Sequence, residues 1–348
     1  MKFYTWGEIM NKISKILVII SLIVLTSACA NSKANNTNLK LNNNQQVNAA
    51  NRGSNNEAEA STESSSEIDL GLDEAKVQEI VDQFGGQTPT KTVTLSVAIT
   101  ELYNALGLEL AGVPTTMSTL PAAYDQVQRI GSSHAPDLEQ IAKLEPDAVV
   151  APASIKDSIA KMIEPAGLPA VYLPVDSLDE LKQSMAALGK VYDQEEKANE
   201  ALTNFAAREA EALKLSEGKE APTVMFLFGS VDSLMLMNED TFAGSLAKKL
   251  GASNVLSNVL KQTETYVPMN MESVVQANPD IILLVAHGDP SAVAKKFEED
   301  VKQNGAWEKM DAFKNNKLIT LDYNLYGIAS LVKAPDAYKD MASILYND

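Results

Sequence analysis

Two histidines and a single cysteine are the residues best suited to metal or covalent chemistry in this chain of 348 residues. His134 stands in "RIGSSHAPDLEQIAKLEPDAVV" (129–150) and His287 in "NPDIILLVAHGDP" (278–290). A neutral imidazole is a good iron ligand. Two imidazoles are few for a zinc or manganese site, which draws on further nitrogen and carboxylate ligands. They could also serve acid–base catalysis, but no partner residue accompanies them. No Gly-x-Ser-x-Gly elbow, phosphate loop, His-Glu-x-x-His pair or cysteine cluster is present, which argues against an enzyme. A lone loop histidine commonly does no more than hydrogen-bond its surroundings, so the elements that position these two decide their meaning.

Those elements read as α/β. "KTVTLSV" (91–97), "PAVYLPV" (169–175), "TVMFLFG" (223–229), "DIILLVA" (280–286) and "KLITLD" (317–322) are short apolar runs of strand length. Helical patterns separate them, the first near Ile99 to Leu106, which predicts mostly parallel sheets covered on both faces. Ligands of such sheets bind outside the carboxyl ends of the strands, where helices begin. His134 immediately precedes a helix beginning near Pro136 or Asp137, and His287 immediately follows the strand ending near Ala286. Both therefore fall on binding edges.

Two segments repeat. "DLEQIAKLEPDAVV" from Asp137 and "NMESVVQANPDIIL" from Asn270 align without a gap, at an offset of 133 residues. Leu138 pairs with Met271, Glu139 with Glu272, Ile141 with Val274, Pro146 with Pro279 and Asp147 with Asp280. Helix–Pro-Asp–strand is a common α/β connection, but two matches in opposite halves favour two similar lobes. Between them, residues 177–218 carry Leu178, Leu181, Met185, Leu188, Val191 and Tyr192 at helical spacing. Asp179 and Glu180 favour the start of this helix and Gly218 its end. As one helix it would reach about 60 Å at 1.5 Å per residue, a strut between lobes. The predicted fold is two Rossmann-like lobes joined by one long backbone helix.

The N-terminus reads as a targeting signal. Lys12 and Lys15 precede the apolar run "ILVIISLIVL" (16–25), too short to span a bilayer. Thr26, Ser27 and Ala28 are small or short residues directly before Cys29. An ordinary signal-peptidase site followed by a stray thiol would account for this, but the stretch closely resembles a bacterial lipoprotein signal. Residues 30 to about 66, rich in Asn, Ser, Gln and Glu, cannot bury enough surface to fold. They read as a tether with a reach on the order of 35 Å. The predicted organisation is a lipoprotein signal (1–28), lipidated Cys29 with its tether (29–66), an N-lobe (67–176), an inter-lobe helix (177–218) and a C-lobe (219–348). The net charge of −17, with no basic stripe, makes nucleic acid and anionic lipid poor partners.

A lipidated signal, a polar tether and two α/β lobes on one helix resemble the substrate-binding proteins of bacterial importers with a rigid helical backbone. "PDLEQIAKLEPDAVV", "DTFAGSLAKKLGASNV" and "MESVVQANPDIIL" carry the likeness over roughly residues 90 to 345. Within that class, "NPDIILLVAHGDPSAVAKKFEEDVKQNGAWEKMDAFKNNKLITLD" is similar to the haem-binding lipoproteins of Gram-positive iron-regulated surface systems. The N-lobe stretches "GVPTTMSTLP" and "IGSSHAPDLE" match as well.

The resemblance implies that His287, in the matching His-Gly, ligates the iron of haem b carried as cargo. The family's other axial ligand is a methionine, where this chain has His134. Met117 and Ser118 stand where a tyrosine and a basic residue are expected. His134 and His287 are thus the candidate axial ligands. Ser96, Val97, Met117, Ser118, Thr119, Tyr323 and Tyr326 are candidate pocket residues, with Met235 and Met237 as further walls. The backbone N–H groups at the helix start by Ser96 would favour an anion.

Glu139 and Glu272, each in a first helical turn, would suit the helix dipole. The class implies that they dock on an ABC permease driven by its ATPase. The expected protein is a monomeric receptor, lipid-anchored on the extracellular face of a Gram-positive cell membrane, fed by cell-wall haem-relay proteins. The competing readings are a receptor for another iron chelate or cobalamin, and a haem-degrading enzyme. A diacylglyceryl group supplies the two chains that stable anchoring needs. Cys29→Ala is therefore expected to shift the protein from the membrane to the medium with binding intact; a variant that stays in the detergent phase of a partition assay would contradict lipidation.

Overall fold

The computed structural model describes residues 69–286, 289–303, 305 and 309–347. Cys29, His287 and the signal and tether segments lie outside the described residues. Helix α1 (Glu74–Asp82) is capped by Asp73, whose carboxylate accepts from the N–H groups of Ala75 and Lys76. Then come β1 (Thr92–Thr94), α2 (Val97–Ala105), β2 (Gly112–Val113), β3 (Gln128–Arg129), the hairpin of β4 (Gly131–Ser132) and β5 (Ala135–Pro136), α3 (Leu138–Leu144), β6 (Ala148–Pro152), α4 (Lys156–Ile163) and β7 (Ala170–Leu173). The sheet order is β3-β2-β1-β6-β7, all parallel. The chain leaves β1 to one side and returns to the other, so the carboxyl ends of β1 and β6 form the switch point where such sheets bind ligands.

Helices α5 (Leu178–Val191) and α6 (Glu195–Leu213) follow. The expected 60 Å helix is thus divided, because Tyr192 to Gln194 break it, with Asp193 at φ +52°. Gly189 shows why the two halves pack together: a Cβ there would lie 2.7 Å from that of Ala198. The long connecting helix is α6 alone. Near its start, Lys197 donates to the carbonyl of Leu106 in the N-lobe. Near its end, Glu209 accepts from Tyr338 in the C-lobe.

The C-lobe comprises β8 (Thr223–Ser230), β9 (Ser233–Met237), α7 (Phe242–Lys249), β10 (Ser253–Asn254), α8 (Val255–Asn258), β11 (Tyr266–Pro268), α9 (Met271–Ala277), β12 (Ile281–Ala286), α10 (Pro290–Gln303), α11 (Asp311–Lys314), β13 (Leu318–Thr320), α12 (Tyr323–Tyr326) and α13 (Ala334–Tyr346). Its order is β11-β9-β8-β12-β13, with β10 also on β8. The β8–β12 and β12–β13 pairs are parallel, while β9 and β11 add an antiparallel edge that the strand reading does not anticipate. The tight β8–β9 reversal depends on Gly229 at φ +148°, where a Cβ would stand 2.0 Å from the Ser233 carbonyl oxygen. One apolar core runs through both lobes by way of α5, α6, α7 and α13, and each sheet carries a second core on its outer face.

The 133-residue repeat is structural. Asp137 and Asn270 cap α3 and α9, accepting from the N–H groups of Gln140 and Ser273. Glu145 and Asn278 end those helices in the left-handed conformation, at φ 48° and 39°. Ile141 and Val274 are the buried anchors. Asp147 then accepts from the N–H and hydroxyl of Thr90, both at 2.8 Å, and from Lys91 N–H. Asp280 does the same with Thr223, at 2.7 Å for both bonds. Each Pro-Asp therefore ties the start of its strand to the start of the neighbouring one.

Burial alone would raise the Asp147 carboxyl, but the bonds from Thr90 and Lys91 outweigh it and hold it below the usual range. Its contribution is therefore complete above the unfolded value near 3.8 and is lost as pH falls through the lower folded value. Asp147→Ala is expected to cost about 1 kcal/mol in urea unfolding at neutral pH, since the group is exposed and screened. The gap from wild type should close as pH falls through that lower folded value; a gap that widens on acidification would reject this clamp.

Candidate functional site

A cleft of about 680 Å³ opens between the lobes at the carboxyl ends of their central strands, within the range typical of small-molecule sites. From the N-lobe, Ser96 caps α2 by accepting from Ile99 N–H at 3.2 Å. Ser96, Val97 and Ala98 thereby line the cleft floor. The loop after β2 contributes Thr115, Thr116, Met117 and Ser118, and the turn of the β4–β5 hairpin contributes Ser133 and His134. Pro152, Val175 and Asp176 complete this side.

The C-lobe wall is largely apolar. Phe228 of β8 and Tyr266 of β11 meet at a ring-centroid distance of 6.0 Å, tilted by 57°. Met237, Phe242 and Val285 extend this surface, and Tyr323, Tyr326 and Gly327 to Ala329 close the far end. Gly327 is needed there: a Cβ would stand 2.5 Å from ring carbons of Tyr323. Burial pushes the Tyr266 hydroxyl up to about 12, with the charge of Asp176 across the cleft adding to it. The surface as a whole suits a ligand with a broad apolar face and few charges.

Six of the seven expected pocket residues, Ser96, Val97, Met117, Ser118, Tyr323 and Tyr326, line the cleft, and so does His134. Thr119 does not; it lies past the loop that faces the cleft. Met237 lines it and Met235 does not. His134 is exposed at a hairpin turn, separated from α3 by β5 and the Asp137 cap. Met117 is fully exposed at the mouth. His287 lies outside the described residues, although β12, which it directly follows in sequence, brings Val285 into the lining. Phe228, Phe242 and Tyr266 were missed. Phe228 was within reach, since it stands at the carboxyl end of a recognised strand; Tyr266 belongs to a strand that was not recognised.

Residues 93–325 match the family model described as Periplasmic binding protein. The chain belongs to that family. A curated relative of this periplasmic binding protein is the high-affinity heme uptake system protein IsdE of Staphylococcus aureus. It is 30% identical over 259 residues, which is 74% of this chain and 88% of that protein. The crystal structure of S. aureus IsdE complexed with heme superposes with a TM-score of 0.68 at 29% identity, covering 74% of this chain and 99% of that one. An ABC transporter substrate-binding protein from Listeria monocytogenes gives 0.68 at 35% identity, with the same coverage. The triscatecholate siderophore binding protein FeuA of Bacillus subtilis gives 0.61 at 19%, covering 74% and 93%, a likeness of fold alone. Family membership identifies the chain as a substrate-binding component of transport rather than an enzyme. No helix among the described residues is long and apolar enough to cross a membrane.

Within this family member, Tyr326 presents its ring to the cleft but not its hydroxyl. The single hydroxyl proton is shared between the Ala337 carbonyl at 2.9 Å and the Asp340 carboxylate at 2.8 Å, both on α13. Burial, and then Asp340, push its pKa well up. Tyr326→Phe is expected to cost about 1–2 kcal/mol of stability in chemical denaturation and to leave cargo affinity unchanged. A loss of affinity at unchanged stability would return the hydroxyl to the binding site.

Proposed function

We propose that this protein is a membrane-anchored extracellular receptor that binds haem in the inter-lobe cleft and delivers it to an ABC permease. The observation that carries this reading is the cleft itself: an apolar C-lobe wall facing hydroxyls, with His134 at its rim. The likeness to IsdE supports the choice of cargo. His287 and His134 are the axial ligands in this reading, one from each lobe. Val97, Tyr323 and the Tyr326 ring are packing surfaces, and Ser96 and Ser118 are polar contacts. Two imidazoles would saturate the iron and leave no position for oxygen or substrate, as suits a carrier.

Delivery falls to Glu139 and Glu272. Both are exposed in the first turns of α3 and α9, at equivalent positions of the repeat. Glu139 is paired with Lys143 at 2.7 Å, an exposed i,i+4 pair that costs little to exchange for a permease arginine. Cys29 holds the lipid, residues 29–66 are the tether, and residues 67–176 and 219–348 are the lobes around the 177–218 connection. A monomer fed by cell-wall haem-relay proteins completes the proposal.

The visible spectrum tests it. Haem added to the purified protein should give a six-coordinate, low-spin ferric species with a sharp Soret band. His287→Ala is expected to lower affinity at least about tenfold, or ~1.4 kcal/mol. His134→Ala should leave a five-coordinate, methionine-ligated or water-ligated iron, with Met117 of the cleft as the methionine at hand. Acidification should release haem, because protonated imidazole cannot ligate. A high-spin wild-type spectrum that His134→Ala leaves unchanged would remove His134 from the site, and failure to bind haem at all would end the reading.

A further inference from the structure

The cleft has an uneven charge for a site that would take an iron complex. Among the described residues that line it there is no lysine or arginine, and there is one carboxylate, Asp176. Asp176 follows β7 and directly precedes Ser177, the cap of α5, so it lies at a strand carboxyl end. Ser154 donates to its Oδ1 at 3.1 Å. Glu180 stands immediately behind, its Oε2 accepting from the N–H groups of Asp176 at 2.8 Å and Ser177 at 3.1 Å. The N-terminus of α5, which would otherwise attract an anion, is therefore already occupied by a carboxylate of the chain. Burial pushes the Asp176 carboxyl up and the Ser154 bond opposes that shift; across the cleft its negative charge raises the Tyr266 hydroxyl in the other lobe.

We propose that Asp176 is a specificity-determining residue that excludes polyanionic ferric chelates and leaves the cleft to flat, weakly charged cargo. The inference rests on the reading of the cleft as a site for iron cargo. A ferric triscatecholate carries its negative charge around the whole complex, so no orientation removes it from Asp176 in a cleft whose described lining holds no lysine or arginine. Like charges brought together out of water repel strongly. A porphyrin keeps its two carboxylates on one edge. It can turn that edge towards the hydroxyls of Thr115, Thr116 and Ser118 and offer Asp176 only an uncharged rim.

Asp176→Asn removes the charge while keeping the size and the acceptor for Ser154. Wild type and variant would be titrated calorimetrically with a trianionic ferric triscatecholate, an uncharged ferric trihydroxamate and haem. The variant should bind the triscatecholate at least about tenfold more tightly than wild type, equivalent to ~1.4 kcal/mol, and added salt should narrow the difference. The ratio of triscatecholate to trihydroxamate affinity should rise by at least about tenfold, and haem and the trihydroxamate should each change less than the triscatecholate does. Asp176→Ser, which removes the charge without an amide, should reproduce the gain. Triscatecholate binding that is absent or equal in all three proteins would overturn the proposal, as would an equal change towards every cargo. Haem that binds none of them would defeat the haem reading alone, because the comparison of the two chelates still reads the filter.

Discussion

An ammonium group cannot be buried without partners, and Lys182 is buried where the two lobes meet, its side chain only 5% exposed. Its Nζ lies 3.1 Å from Asp179 on the same helix, α5. Asp179 also holds Lys249 of α7 at 3.2 Å, and Lys249 reaches Glu209 of α6 at 3.9 Å. Glu209 in turn accepts from Tyr338 of α13. Burial would raise the Asp179 carboxyl, but the two lysines outweigh it and hold it down; burial would lower the Lys249 ammonium, but Glu209 and Asp179 hold it up. One connected set of charges thus fastens the two helices of the inter-lobe connection to two helices of the C-lobe, and Lys182 also donates to the Leu70 carbonyl of the N-lobe at 3.4 Å. The links that cross between helices, Asp179–Lys249 and Lys249–Glu209, are partly exposed and contribute about 1 kcal/mol or less each, so the junction holds by their sum together with the shared apolar core.

The cleft inherits its shape from that junction. Helices α5 and α7 begin at the cleft, and Leu178 N–H donates to Ser245 Oγ between them at 3.3 Å. Glu101 and Lys333 add a second link between the lobes, at 3.6 Å. These contacts and the shared apolar core hold the floor through the fold itself.

The repeat and the cleft edge were legible in sequence because each rests on local chemistry. A short amphipathic helix and Pro-Asp before a buried run are short-range signals, and they placed α3, α9, β6 and β12. The carboxyl-end rule then put His134 on the cleft edge, and the helix start by Ser96 and Val97 pointed to the same floor. The break at Asp193 was not legible, because the apolar spacing continues into Tyr192 and the interruption depends on Gly189 letting α6 approach. Strands β9 and β11 were missed for a related reason. "SLMLM" and "YVP" are too short to stand out, and what makes them strands is pairing with each other and with β8. Tyr266 was lost with β11. The role of Tyr326 divides in the same way: its ring could be placed from chain position, but its hydroxyl bonds to α13, which only the tertiary structure brings near.

A wall built mainly from apolar and aromatic surface binds by area, and burial of area is non-directional. Orientation must then come from the few polar groups, and on the proposed reading these are divided between the lobes. His134 and the hydroxyls of the 115–118 loop belong to the N-lobe, whereas the aromatic face and the chain leading to His287 belong to the C-lobe. Neither lobe alone offers both a broad apolar face and a complete pair of axial ligands. On the proposed reading the junction has a functional counterpart: it keeps two half-sites, each incomplete alone, at one fixed spacing. The same duplication that supplies two strand-end edges also supplies two outward-facing first turns, at Glu139 and Glu272. On the proposed reading, cargo and permease contacts that both derive from one repeated unit stand in a constant relation, so a docked permease would meet the cleft in the same orientation each time.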